Sequence, residues 1–386
     1  MDSLHSSPNK LYMNKSSLIS ARNKIIQHYQ ESFIVQNDEF LNGQYTMVSA
    51  NLSNYLPAID AREHINIFTE LLIHKKISHL EQGSEEALNF LTVEGLSNET
   101  LNSLKEKPFI ICTFHTGSYR LINLFLAKNN IPFALVTGKT ILEKEGDSFI
   151  SLYKRMTPNN TGNSLKIIDA ETPQSGLQML RELKKGRNLL LYIDGNSGAG
   201  TVTSKNDNRC IIQFLDQRIF ARKGIGYLAH TANVPILTAV NYRESWNDVR
   251  LMFHDPIIPD PTIDRALFAR DTTQKIYDLV SETVQKFPEQ WEAWLYLHKT
   301  AHVSPSDLPS NEKYSGTQVE FNLRHYGIFK IESSSFLFKK STYTSYPIDP
   351  STYDILNNCM RHPVPVQQIE SCIFTQLHQN GVLLYL

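Results

Sequence analysis

The sequence predicts an α/β fold: a largely parallel sheet with helices on both faces, a helical N-terminal region, and a small C-terminal α+β winged-helix-like domain. Three observations carry this. Short apolar runs (FIICTF, PFALVTG, NLLLYID) alternate with amphipathic segments, the grammar of a parallel sheet covered on both sides. Apolar residues before about position 104 fall at helical spacing. Beyond the polar stretch Val303 to Thr317, strands come first and helices after.

Taken in order, residues 1–104 form a helical region packed on the main domain, with helical spacing in ISARNKIIQHYQESFIV and HINIFTELLIHKKISHLEQ. VEGLSNETLNSLKE starts as a short strand, and Ser97 is placed to cap a short helix. In the main domain, 105–302, FIICTF, PFALVTG, SLKIIDA, NLLLYID, VPILTAVNYRE and VRLMFHDPI read as strands. Between them YRLINLFLAKN, DSFISLYKRM, PQSGLQMLRELKKG and IGYLAHTAN read as helices. A further helix from about Phe268 to Lys286 leads into FPEQWEAWLYLHKT. Residues 303–317 carry Pro, Ser, Asn and Gly and read as a linker. In 318–386, QVEFN, YGIFKIES and SFLFKKS are short strands, PSTYDILNNCM and VPVQQIESCIFTQLHQN helices, and VLLYL a last strand.

The 386 residues suffice for a large core, and 38 basic against 39 acidic side chains leave a formal net charge of -1. No global field therefore draws the chain to nucleic acid or an anionic membrane. Cys112, Cys210, Cys359 and Cys372 show no paired spacing, which points to reduced thiols, a cytoplasmic protein and no structural zinc. The N-terminal thirty residues lack the apolar core of a signal peptide. No transmembrane segment is expected; peripheral membrane contact through a few exposed apolar residues stays open.

In a parallel sheet the ligand site lies at the carboxyl ends of strands, where His115 and Asp194 both fall. His115 leaves the strand FIICTF toward Gly117, which permits a tight turn and room for a substrate; the alternative is a histidine that only caps a buried strand. Alternation puts Cys112 on the opposite strand face from His115, against a Cys/His pair. Asp194, in YIDGNSGAG, ends a buried strand and runs into a glycine-rich loop, which is not a phosphate loop and also fits ordinary turn chemistry. Arg218, Arg222 and Lys223 precede a helix with Gly224 and Gly226, and would suit a phosphate or carboxylate or form a solvated charged face. No metal-ligand cluster is evident.

With these segments in order, the chain from about 45 to 302 resembles the late acyltransferases of lipid A biosynthesis, within the lysophospholipid acyltransferase-like superfamily. The matching pieces are NLSNYLP (Asn51 to Pro57), VEGLSNETLNSLKEKPFIICTFHTGSYRL, FLDQRIFARKGIGYLAHTANVPILTAV and FPEQWEAWLYLHK. The resemblance implies transfer of a fatty acyl group from an acyl carrier or coenzyme A thioester, as co-substrate, to a hydroxyl or amine. In that family's H-x-x-x-x-[DE] motif the histidine is the general base and the carboxylate orients it. His115 carries over; the acid does not, because Arg120 stands there. The family's N-terminal membrane helix is also missing.

The segment YGIFKIESSSFLFKKSTYTSYPIDPSTYDILNNCM is similar to the PqqD-like peptide-binding winged helices, with Pro347, Ile348, Asp349 and Ile355 in comparable places. This implies a peptide adding to the strand edge. The preferred reading is thus an acyltransferase with His115 as base and Asp194 replacing the missing acid. Arg218, Arg222 or Lys223 would hold the donor's phosphate, and Arg120 a carboxylate on a peptide or amino-acid acceptor. Other readings are a catalytically degenerate fold kept as a scaffold, and thioester hydrolysis with water as acceptor. No permanently bound cofactor is expected.

Overall fold

The computed structural model describes residues 14–31, 35, 38–157, 165–195, 208–304 and 316–386. The glycine-rich part of YIDGNSGAG beyond Gly195 and most of the expected linker lie outside them. The chain divides into two compact units. The first takes the described residues of Met1–Ser32, Glu70–Ile212 and Phe220–Ala293, and the second those of Phe33–Thr69, Gln213–Ile219 and Trp294–Leu386.

In the first unit β1 (Leu91–Glu94), β2 (Ile110–Thr113), β3 (Phe133–Thr137), β4 (Lys166–Asp169) and β5 (Asn188–Tyr192) are short strands. β8 (Ile236–Ser245) and β9 (Asp248–Phe253) belong to this unit too, while β6 (Arg209–Phe214) and β7 (Gln217–Arg222), between β5 and β8 in the chain, are divided between the two units. Seven of them make one sheet in the order β1-β9-β8-β2-β5-β3-β4. All neighbouring pairs are parallel except β8 with β9. The sheet is therefore largely parallel, with β1 and β9 reversed. All four residues of β2 are buried, as a strand covered on both faces requires. Ile111, Ile122, Leu126, Phe133, Leu190 and Leu237 form the centre of its core. Ser97 caps the helix Asn98–Glu106 by accepting from the Thr100 amide at 3.0 Å.

Two segments take form only in the structure. β6 and β7 precede the helix Gly224–Ala232 and carry Arg218 and Arg222; alternation in RCIIQF and QRIFAR is interrupted by charge, and Leu215 between them takes a positive φ of 52°. FPEQWEAWLYLHKT forms three short 3-10 turns, Pro288–Gln290, Glu292–Leu295 and Leu297–Lys299.

In the second unit, β11 (Gln318–Phe321), β12 (Tyr326–Ile331), β13 (Ser334–Lys339) and β14 (Thr344–Ile348) precede the helices Pro350–Arg361 and Ser371–Gln379. The two-residue strands β10 (Ala301–His302) and β15 (Val364–Pro365), with β16 (Leu383–Tyr385), complete this part. Apart from β10, which pairs with Arg218 and Ile219 of β7, these strands make the antiparallel sheets β12-β13-β14 and β15-β11-β16. β14 was hidden in the sequence because STYTSYPI reads as turn chemistry; it is an edge strand, where Pro347 is tolerated.

The helix Glu39–Tyr55 packs on β12, and its polar residues explain the NLSNYLP segment. Asn54 Nδ2 donates to Lys340 O at 2.9 Å, Tyr343 donates to Asn51 Oδ1 at 2.7 Å, and Asn51 Nδ2 donates to Trp294 O at 2.6 Å. Gly327 allows the close approach: a Cβ there would lie 2.8 Å from Thr46 Cγ2. Among the described residues no helix is long and apolar enough to cross a membrane.

Candidate active site

Sheet register builds the site. Thr113 of β2 stands opposite Tyr192 of the parallel neighbour β5, and the Ile193 amide donates to Thr113 O at 3.0 Å. Two residues further along each chain come His115 and Asp194. Asp194 Oδ1 lies 2.7 Å from His115 Nδ1, and Oδ2 accepts from the His115 amide at 3.0 Å. A carboxylate from the adjacent strand thus reaches the histidine. With Nδ1–H donated to Asp194, the tautomer this geometry favours leaves the Nε2 lone pair free to accept a proton.

Residues 290–292 lie along this turn. Gly117 N donates to Gln290 O at 2.9 Å, Glu292 N donates to His115 O at 2.8 Å, and Thr116 and Trp291 form an antiparallel bridge. Trp291 Nε1 donates to Asp194 Oδ2 at 2.7 Å. Tyr119 donates to Glu292 Oε2 at 3.1 Å, and Lys75 pairs with Glu292 Oε1 at 3.1 Å. Trp291 and Glu292 were missed in the sequence because PEQWEAW carries no recognisable chemical spacing.

The imidazole lies between two rings, Tyr119 at 4.7 Å edge-on and Tyr192 at 5.0 Å. Its side chain is 20 % exposed, whereas that of Asp194 is 2 % exposed. Burial alone would lower the His115 pKa, but Asp194 and then Glu292 outweigh it, against a smaller opposing effect of Arg120, and hold it above the ordinary 6.5. Burial likewise pushes the Glu292 carboxyl up, yet Lys75 and His115 bring it below the usual range.

The two glycines differ in use. Gly117 has a φ of +54°, and a Cβ there would stand 2.8 Å from Tyr242 Cα on β8, so the room expected for a substrate is taken by the neighbouring strand. Gly195 borders the imidazole: a Cβ there would lie 3.5 Å from His115 Cε1, an ordinary van der Waals contact.

Arg120 is already engaged. Its Nη1 donates to Glu145 Oε2 at 2.7 Å and to Gln82, and its Nε donates to the Tyr119 hydroxyl at 3.0 Å. Deeper in the same unit Arg22, Glu81 and Arg243, each about 1 % exposed, form a buried ionic group. Ser118 donates to Glu81 and accepts from Arg243, which ties the turn after His115 to this group. The sequence could not reveal it, since Arg22 and Glu81 sit in helices where charges usually face water.

Arg218 and Arg222 lie on β7, and Lys223 precedes the helix Gly224–Ala232. Arg218 falls in the second unit, where it donates to Ser304 Oγ at 3.4 Å; Arg222 and Lys223 fall in the first. Lys223 stands over the Tyr227 ring at 5.4 Å. The structure brings His115 and Asp194 together, while Lys223 is engaged by the Tyr227 ring. An apolar cavity lined by Phe133, Leu135, Phe149, Leu152, Tyr153 and Met156 also includes Asn123 in its wall. Asn123 Nδ2 donates to the Tyr192 hydroxyl at 3.1 Å, so one side chain separates this cavity from the imidazole's neighbour. Among the described residues no group of three or more His, Cys, Asp or Glu is arranged to hold a metal ion.

No family model matches the chain, and no curated protein does. Among solved structures it is similar to the 1-acyl-sn-glycerophosphate acyltransferase PlsC from Thermotoga maritima, at 14% identity and a TM-score of 0.33, over 67% of this chain and 99% of that one. It is also similar to the pilus retraction motor PilT with bound ADP, at 11% identity and a TM-score of 0.25, over 57% of this chain and 67% of that one. Overlaps of this size do not separate an acyltransferase from a motor; the functional reading therefore stands on the site.

Proposed function

We propose that the chain is an acyltransferase that moves a fatty acyl group from a carrier-protein or coenzyme A thioester to a hydroxyl or amine. The observation that carries this reading is the 2.7 Å pairing of His115 Nδ1 with Asp194, with the imidazole partly exposed. The pairing supports a general base; the sequence resemblance selects acyl transfer among the reactions that need one. His115 Nε2 takes the acceptor's proton as its oxygen or nitrogen attacks the thioester carbonyl. Asp194 stabilises the imidazolium. The tetrahedral intermediate then collapses with cleavage of the C–S bond, and the imidazolium returns the proton to the departing thiolate. Arg222 and Lys223 suit the phosphate of the donor. Arg120, tied to Glu145, orders the rim of the site. The C-terminal strands and helices serve as a docking element for a peptide acceptor.

The test is transfer from a panel of acyl carrier and coenzyme A thioesters, comparing wild type with His115→Ala. A loss of turnover on the order of 10²-fold or more is expected. Turnover unchanged in the variant removes His115 from the mechanism, and no turnover in wild type favours a binding module.

A further inference from the structure

We propose that Trp291 is a positioning residue that sets the basicity of His115 by fixing Asp194, an inference that rests on the reading of His115 as the base. The Asp194 carboxylate accepts from three described donors: the His115 amide, His115 Nδ1 and Trp291 Nε1. Two of these belong to His115 itself. Trp291 is thus the donor that anchors the carboxylate from outside the pair, and it holds Oδ2 so that Oδ1 faces the imidazole.

The indole can do this because its own place is fixed. Trp291 is 1 % exposed, its backbone bridges Thr116, and its neighbours Gln290 and Glu292 bond to Gly117 and His115. The Gln290 side chain accepts from the Arg243 amide at 2.7 Å and donates to Arg243 O at 2.9 Å, which fixes this segment along β8. Indole nitrogen donates and cannot accept, so it favours the ionised carboxylate. A position needing only bulk would be served by phenylalanine; here the N–H is aimed at a carboxylate that is 2 % exposed. Losing it frees Asp194 to turn, and burial then draws the His115 pKa down.

The experiment replaces Trp291 in the full chain with 3-benzothienylalanine, which puts sulfur in place of the N–H at nearly constant size, beside Trp291→Phe. The His115 ring proton is titrated by NMR, which needs no substrate. The expected result is a fall of about half a pKa unit or more in both variants. Turnover should drop roughly tenfold with KM within about twofold, a split that lost packing alone does not give. A His115 pKa that stays within about 0.2 units of wild type, or rises, in the benzothienyl variant overturns the proposal. If wild type transfers no acyl group yet the titration shifts, the functional reading fails and Trp291 keeps its role. If transfer needs His115 but the titration does not move, the positioning role alone fails.

Discussion

Two histidines, one in each unit, show how neighbours decide what burial does. His115 meets Asp194 and Glu292, and its pKa is raised despite desolvation. His64, 1 % exposed, meets a cation: its Nδ1 lies 2.8 Å from Ser49 Oγ, which accepts from Lys340 Nζ at 2.7 Å. Burial first and Lys340 second push His64 down to about 3, against a weaker opposing pull from Asp60. The first is poised to take a proton; the second stays neutral and holds a hydroxyl. Lys340, 2 % exposed, is pushed down to about 7 by burial, and among the described residues it forms no ion pair with a carboxylate. A carboxylate within reach therefore separates a candidate base from a structural ring, and the comparison can be broken from either side.

The largest effect is expected from Asp194→Asn. It keeps the shape but loses the charge that stabilises the imidazolium, so turnover should fall about 10³- to 10⁴-fold in a steady-state assay. A loss below tenfold would mean that Glu292 suffices to support His115.

Next comes Glu81→Gln. It leaves Arg22 and Arg243 buried without their shared counter-ion, and should destabilise the first unit by about 3–5 kcal/mol, measured by urea unfolding. An unchanged midpoint would show that the buried charges are compensated elsewhere.

Lys340 gives a pH dependence of known sign. Its folded pKa of about 7 lies below the ordinary 10.5, so between those values the unfolded chain binds the extra proton. Stability of the second unit should therefore rise as pH goes from about 7 toward 10, by roughly 2–4 kcal/mol in urea unfolding, and the slope should flatten in Lys340→Met. An identical slope in the variant would assign the titration to another group.

The smallest effect is expected from Arg120→Gln. Removing a cation that opposes protonation of His115 should raise the His115 pKa slightly and change turnover by less than about tenfold. Complete loss of turnover would instead make Arg120 part of substrate binding.

Much of this was legible in the sequence, for identifiable reasons. Strands such as Ile110–Thr113 are short, wholly apolar and buried on both faces, so they read as parallel-sheet strands directly. The exits from β2 and β5 pointed to His115 and Asp194 individually. That Asp194 would stand in for the missing acid was the preferred reading, but the register that brings it to His115 was not legible, because it depends on β5 inserting beside β2 across a sequence separation of 79 residues. Trp291 and Glu292 act through their place beside the His115 turn, not through a motif. Ser49, His64 and Lys340 were hidden for the same reason: two helices and a strand end, distant in sequence, supply one each.

The most direct measurement is the NMR titration of the His115 ring in wild type and in Asp194→Asn. A wild-type pKa above 6.5 that drops below it in the variant is the expected result. A wild-type value at or below 6.5, or a value unmoved by the substitution, would contradict the claim that Asp194 makes His115 the base.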